Sequence, residues 1–216
     1  MSGLELSNLT AVFDGRDVLG PISLTVAEGD RVALVGKSGA GKSTLLKLAF
    51  QHGARHAALV PQDLGLVQPL PVFHNVFMGR LDERSLWYNT ATLFRPFRRD
   101  RQEIGDLLDQ VAMGDKLWQP VAALSGGQRQ RTAIARALYH RSRTLLADEP
   151  VSALDGPMAA RVMELLRARF PTSLIALHDI DLALAYCNRI VGIQDGHIAL
   201  DRRADELSES DLLALY

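Results

Sequence analysis

Gly36-Lys37-Ser38-Gly39-Ala40-Gly41-Lys42-Ser43-Thr44 decides the fold of this 216-residue chain. The stretch fits G-x-x-x-x-G-K-[ST]. It follows a short apolar run, Arg31 to Val35 (RVALV), and opens a segment, Lys42 to Gln51, that reads as a helix. Strand before and helix after are the context this motif requires. Glycines permit a backbone curl whose N–H groups turn inward on phosphate oxygens, and the helix brings its positive end to the same anion. Lys42 then reaches the β- and γ-phosphates of a nucleotide, and Ser43 ligates Mg²⁺. At average residue usage the pattern arises by accident in roughly one chain in a hundred, and the flanking elements make accident rarer still.

A nucleotide site needs an acidic element as well. Thr144 to Glu149 (TLLADE) supplies it, a buried strand ending in two adjacent carboxylates. In a parallel sheet, ligands bind at the carboxyl ends of strands. Asp148 is expected to hold Mg²⁺, directly or through water, and Glu149 to act as general base on the attacking water. A third element is Leu124-Ser125-Gly126-Gly127-Gln128, ahead of a helix rich in Arg and Ala. Ser125 suits an N-cap. Two glycines in a first turn cost helix stability, so they are expected to keep the helix end open to an anion.

Further out, the chain has 24 Lys and Arg against 25 Asp and Glu, and 47% hydrophobic residues. That balance excludes a disordered chain and gives no electrostatic reason to expect nucleic acid as partner. The single cysteine, Cys187, excludes a disulfide framework and a cysteine-based zinc site. No apolar run reaches the roughly 18 residues that span a bilayer, and the start lacks the marks of a signal peptide. A soluble, intracellular protein is expected.

Residues 1–35 read as β, with Ile22, Leu24 and Val26 alternating against Ser23 and Thr25. Residues 72–120 read as mostly helical, with Ile104, Leu107, Leu108 and Val111 at helical spacing. Arg95, Arg98, Arg99 and Arg101 form a basic cluster there, either a solvated helical face or a contact for anionic lipid. From Ser125 onward helix and strand alternate: helix 126–140, strand 144–147, helix 157–169, strand 173–177, a helix near 180–187. Asp195-Gly196 then joins two short strands, and 204–216 reads as an acidic amphipathic helix. The expected class is α/β, a P-loop NTPase core whose parallel sheet is flanked by helices, with a small N-terminal antiparallel part. One domain is expected, its core at 1–71 and 141–216 and an inserted helical subdomain at 72–140.

With these motifs in hand, the sequence resembles the ATP-binding cassette ATPases. The phosphate loop at 36–44, LSGGQ at 124–128 and LLADEP at 145–150 stand in that family's order, and the likeness covers essentially the whole chain. It implies that Gln62 senses Mg²⁺ and the attacking water, that His178 contacts the γ-phosphate, and that Phe13 lies under the adenine, with Val18 also among the nucleotide-binding residues. It implies too that Ser152-Ala153-Leu154-Asp155 crosses a dimer interface. ATP and Mg²⁺ are the implied cofactors. A P-loop kinase would leave LSGGQ unexplained. One departure is the short stretch between Lys42 and Gln62, where the family has a β-hairpin. Gly53 to His56 replaces it, which leaves the outer antiparallel sheet open to question. Residues 52–56 are expected to form a tight solvent-facing connection to strand 57–60, with Gly53 as its flexible point and the place where extra chain is tolerated.

Within the family, phosphonate importers are the nearer likeness, through NVFMGRL at 75–81, the Arg-rich stretch near 95–101, LADEPVSALD at 146–155, LHDIDLALAYCNRIVGIQDG at 177–196 and SDLLALY at 210–216. The resemblance implies two copies sandwiching ATP, with residues 36–44 of one facing Ser125 and Gly127 of the other. It implies a membrane permease as partner, docking on the loop between Gln62 and Phe77, a solute-binding protein at one remove, and a place on the cytoplasmic face of the membrane. The transported solute is expected to be phosphonate or a related phosphorus oxyanion. An accessory subunit of a soluble phosphonate-degrading complex and a non-transport cassette ATPase remain alternatives.

Overall fold

The structure is a computed structural model that describes residues 3–13 and 16–216, the side chains of Phe13, Arg16 and Asp17 lying outside that description. The chain falls into two compact units. The first comprises residues up to Gln62, Ser142–Pro150 and Met163–Tyr216; the second comprises Asp63–Arg141 and Val151–Val162.

The first unit is built on a six-stranded sheet. Its strands are β3 (Arg31–Val35), β4 (Ala58–Val60), β5 (Thr144–Asp148), β6 (Thr172–Ala176), β7 (Arg189–Gln194) and β8 (His197–Arg203), after β1 (Leu4–Phe13) and β2 (Arg16–Val26). The order is β4-β5-β6-β3-β7-β8, parallel throughout except for β8, which returns antiparallel to β7. The central strands are apolar without alternation because both faces are covered: Val32, Ala33, Leu34 and Val35 have no exposed surface. The turn to β8 is Asp195-Gly196, both in the left-handed region at φ 49° and 75°, as a tight two-residue hairpin demands.

β1 and β2 form a separate antiparallel pair that carries register shifts. Ile22, Leu24 and Val26 face inward with at most 3% exposure, and join Leu4, Leu6, Leu45 and Leu46 in one core cluster. The antiparallel sheet therefore persists on these two long strands, and the shortened stretch after α1 (Lys42–His52) adds nothing to it. That stretch is a tight connection. Ala54 donates to the carbonyl of Ala49, and Ala57 to that of Ala54. Arg55 and His56 are exposed, whereas Ala54 and Ala57 are buried, so the connection is only half solvent-facing. Gly53 has φ −142°, an ordinary value; what it supplies is room, since a Cβ there would come within 2.7 Å of Leu4 Cδ1.

The second unit is helical: α2 (Val72–Phe77), α3 (Leu86–Phe94), α4 (Arg98–Gln110) and α5 (Gly126–Tyr139), with 3₁₀ turns at Met78–Glu83, Gly114–Lys116 and Val121–Ala123. Ile104, Leu108 and Val111 are fully buried. At its centre lies a carboxylate, Asp100, with no exposed surface, which accepts from the hydroxyls of Tyr88 and Tyr139 and from Arg84. Burial, reinforced by that carboxylate, pushes the Tyr139 phenol up to about 12.

α6 (Gly156–Arg169) and α7 (Ile180–Tyr186) follow β5 and β6. The expected C-terminal helix over 204–216 is broken. A 3₁₀ turn at Ala204–Glu206 gives way at Leu207 to extended backbone, and Ser208 starts a new short helix, α8 (Glu209–Leu213), with its own capping box. A serine able to cap, set one turn inside an amphipathic run, favours a restart over continuation.

Candidate nucleotide site

The parallel register gathers the chemistry of the first unit on one edge of the sheet. Leu34 lies opposite Ala176, Val60 opposite Ala147, and Asp148 opposite Ala176. The segments that leave the carboxyl ends of four adjacent strands therefore carry Gly36, Gln62, Asp148 with Glu149, and His178, the edge where open α/β sheets bind ligands.

The loop after β3 is held open by local geometry. Gly36 has φ 136°, and a Cβ on it would strike the Ile193 carbonyl at 2.2 Å, so only glycine lets the chain turn there. Gly41 caps α1 at φ 106° and offers no side chain to its first N–H groups, which leaves those donors for an anion. Val18 closes the loop from below: its carbonyl lies 3.1 Å from where a Gly41 Cβ would stand. Lys42 is 5% exposed, and its ammonium donates to the carbonyls of Gly36 at 2.6 Å and Lys37 at 2.9 Å. Burial lowers the Lys42 pKa, while Glu149 and Asp148 act in the opposite sense.

Asp148 is 7% exposed, and burial raises its carboxyl, against a hydrogen bond from Ser43 that lowers it. Its Oδ1 is buried without a hydrogen-bond partner. A hydroxyl and an orphaned carboxylate oxygen, side by side, form the donor set of a hard cation. Two protein oxygens of this kind fit Mg²⁺, which keeps waters and phosphates as its other ligands.

Glu149 stands at φ 50°, a left-handed conformation uncommon outside glycine, fixed by its N–H donating to the Ala176 carbonyl. Strain of this kind is concentrated at functional sites. The turn aims the carboxylate at His178, whose Nε2 lies 2.7 Å from Glu149 Oε1. Tyr216, which the sequence motifs do not single out, closes the group. Its phenol donates to the His178 carbonyl at 3.4 Å, and burial raises its pKa against the Gly36 backbone, which lowers it. The side chain of Phe13 lies outside the described residues.

In the second unit Ser125 caps α5 in a reciprocal box, its Oγ accepting from the Gln128 N–H and its own N–H donating to Gln128 Oε1. The two glycines have different reasons. A Cβ on Gly127 would meet the Ala153 carbonyl at 2.9 Å, whereas one on Gly126 would meet nothing within 4 Å, so Gly126 leaves a bare exposed backbone. Gln130 secures the 152–155 loop to α5: its Oε1 accepts from the Ala153 N–H at 2.8 Å and its Nε2 donates to Ser152. Asp155 Oδ1 accepts from the Met158 N–H and so caps α6.

Comparison with known proteins gives the family and the fold. A family model described as ABC transporter matches residues 19–152. The chain belongs to that family. The "Phosphonates import ATP-binding protein PhnC 2" of Pseudomonas aeruginosa is 40% identical over 94% of this chain and 86% of that protein. Among solved structures, a dimeric bacterial ABC transporter cassette, MJ0796, superposes with a TM-score of 0.77 at 25% identity, over 93% of this chain and 98% of that one. The same cassette in a post-hydrolysis state, bound to ADP and Pi, gives a TM-score of 0.76 at 25% identity, over 93% and 98%. As a member of the ABC family the chain is an ATPase with the P-loop α/β fold.

Proposed function

We propose that the chain is the ATP-hydrolysing subunit of an importer for phosphonate or a related phosphorus oxyanion, working on the cytoplasmic face of the membrane. The observation that carries the catalytic part is the Glu149–His178 pair, 2.7 Å apart, on the sheet edge that also bears Lys42 and Asp148. The phosphate oxygens of ATP lie in the curl from Gly36 through Thr44, where Lys37, Ser38, Gly39 and Ala40 supply backbone donors. Lys42 exchanges its two carbonyl partners for β- and γ-phosphate oxygens. Ser43 and Asp148, with Gln62 alongside, would hold Mg²⁺, which neutralises charge on those oxygens when bound. Glu149 takes the proton of the attacking water, and His178 orients the Glu149 carboxylate beside the γ-phosphate.

Two copies enclose two ATP molecules. The loop 36–44 of each faces Ser125, Gly126, Gly127 and Gln128 of its partner, and the bare Gly126 backbone lets the γ-phosphate approach the N-terminus of α5. Asp155 crosses the same interface, and Phe13 and Val18 receive the base. The permease engages the loop between Gln62 and Phe77, and a solute-binding protein delivers the cargo. What supports the solute is the likeness to phosphonate import proteins. The test is ATP hydrolysis by the chain assembled with its permease in proteoliposomes, with the solute-binding protein added. Stimulation by a simple alkylphosphonate is the expected result. Stimulation by an unrelated solute such as sulfate, with none by phosphonate, would reassign the cargo and leave the ATPase reading intact.

A further inference from the structure

Helix α3 (Leu86–Phe94) carries apolar residues on the face that points away from its own unit. Tyr88 and Thr92, one turn apart, face inward: Thr92 has no exposed surface, and Tyr88 stacks on Phe97 at 4.4 Å. On the opposite side Leu86 is 83% exposed, Trp87 73%, Leu93 49% and Phe94 83%. At 100° per residue these four, with Thr90 between them, fill an outward arc of about 120°. Single exposed apolar residues need no explanation, but four large ones on one helical arc mark an interaction surface.

The exposed charge that follows that arc, through residue 101, is of one sign, while Asp82 and the Arg141-paired Glu83 precede it. Arg95, Arg98, Arg99 and Arg101 follow directly and are all exposed. The one carboxylate among residues 86–101 is Asp100, and it is withdrawn into the interior on Tyr88, Tyr139 and Arg84. The first turn of α4 adds the positive end of a 13-residue helix. Apart from the buried Asp100, the acidic residues of α4 come later. Glu103, paired with Arg80, and Asp106 share a groove with Arg98 and Arg99. Trp, Leu and Phe beside clustered arginines match an interfacial helix, whose aromatic rings sink to headgroup depth while guanidinium groups hold phosphate.

We propose that the outward face of α3, with the arginines after it, docks on the anionic headgroup surface of a membrane. Charge complementarity selects this occupant over a second copy of the chain, which would bring four arginines against four. This surface is independent of the nucleotide chemistry.

The test uses the full chain carrying Trp118→Phe, so that Trp87 is the sole fluorophore of its kind. It is mixed with vesicles of phosphatidylcholine alone or with about 30% phosphatidylglycerol. The expected result is co-sedimentation and a blue shift of Trp87 emission with the anionic vesicles only, weakened as salt rises from about 0.1 M to about 1 M. Arg95→Gln with Arg98→Gln should lower vesicle affinity about tenfold or more, and Leu86→Ser with Phe94→Ser should abolish the blue shift. These exposed positions leave the thermal midpoint and ATP hydrolysis unchanged. Three results would overturn the proposal: no binding to anionic vesicles, equal binding to neutral ones, or binding indifferent to Leu86→Ser with Phe94→Ser. So would a dimer, or retention by a detergent-solubilised permease, that depends on Trp87 while vesicles are ignored.

Discussion

Lys42 satisfies its charge on carbonyls of its own loop, and this limits what a substitution there can do to the fold. A desolvated ammonium contributes little net stability once its hydration is counted, but it is the buried positive charge the loop offers a triphosphate, whereas Lys37 is exposed. Lys42→Ala is therefore expected to stay folded, to weaken ATP affinity by at least about tenfold and to abolish turnover. Thermal unfolding alongside nucleotide titration checks both halves; normal hydrolysis would remove Lys42 from the site. At this scale the sequence was most informative where chemistry is local in the chain. The loop from Gly36 to Thr44, the Asp148-Glu149 dipeptide and Ser125 to Gln128 are each contiguous. Tyr216 and Gln130 were illegible because their partners are distant: Tyr216 meets His178 across 38 positions, and Gln130 meets Ser152 across 22.

Elements were legible where one period dominates. The buried run of β3 and the alternation of β2 both met both-face or one-face burial, as their patterns require. Two elements were misread for the same reason, a local competitor inside a plausible pattern. Ser208 restarts the C-terminal helix, and the residues after α1 tuck two alanines inward where a solvent-facing turn was expected. The second finding moves the point where extra chain can be tolerated. Inserting a short Gly-Ser stretch between Arg55 and His56, both exposed, opens only the Ala57–Ala54 turn bond and should cost about 1 kcal/mol, since closure entropy grows slowly with length. The same insertion directly after Gly53 should cost more, because it displaces Ala54 from its bond to Ala49. Urea unfolding of the two variants decides; equal stability would show that the Ala54 contact holds nothing. In the helical unit no periodicity announced that Asp100 lies inside. Asp100→Leu strands two tyrosine hydroxyls and Arg84, and is expected to lose about 3 kcal/mol of unfolding free energy. A loss below about 0.5 kcal/mol in urea unfolding would mean the network carries no net stability.

For the whole molecule, the motif order implied the fold class, and the matched family and cassette structures bear it out. The outward turn of α3 was not legible, because an apolar helix reads the same whether its arc is covered or bare. The division of labour between copies has its own test. Ser125→Arg places bulk and charge at a surface proposed to face the partner's ATP, and Lys42→Ala empties the same site from the other wall. Mixed dimers of the two variants concentrate both lesions in one site and leave the second whole. Recovery of about half the wild-type turnover per mixed dimer is expected on that counting, if the two sites act independently. No recovery from verified mixed dimers would contradict catalysis across an interface.

The central claim is that the Glu149 carboxylate, turned to His178 by its left-handed backbone, activates the water that cleaves ATP. The most direct measurement is single-turnover conversion of ATP to ADP by Glu149→Gln beside the wild-type chain, with bound nucleotide quantified in each. The substitution keeps shape and removes the base. The account predicts that Glu149→Gln retains ATP with near wild-type affinity and cleaves it at least about a hundredfold more slowly. Cleavage at the wild-type rate, with ATP bound equally well, would contradict it.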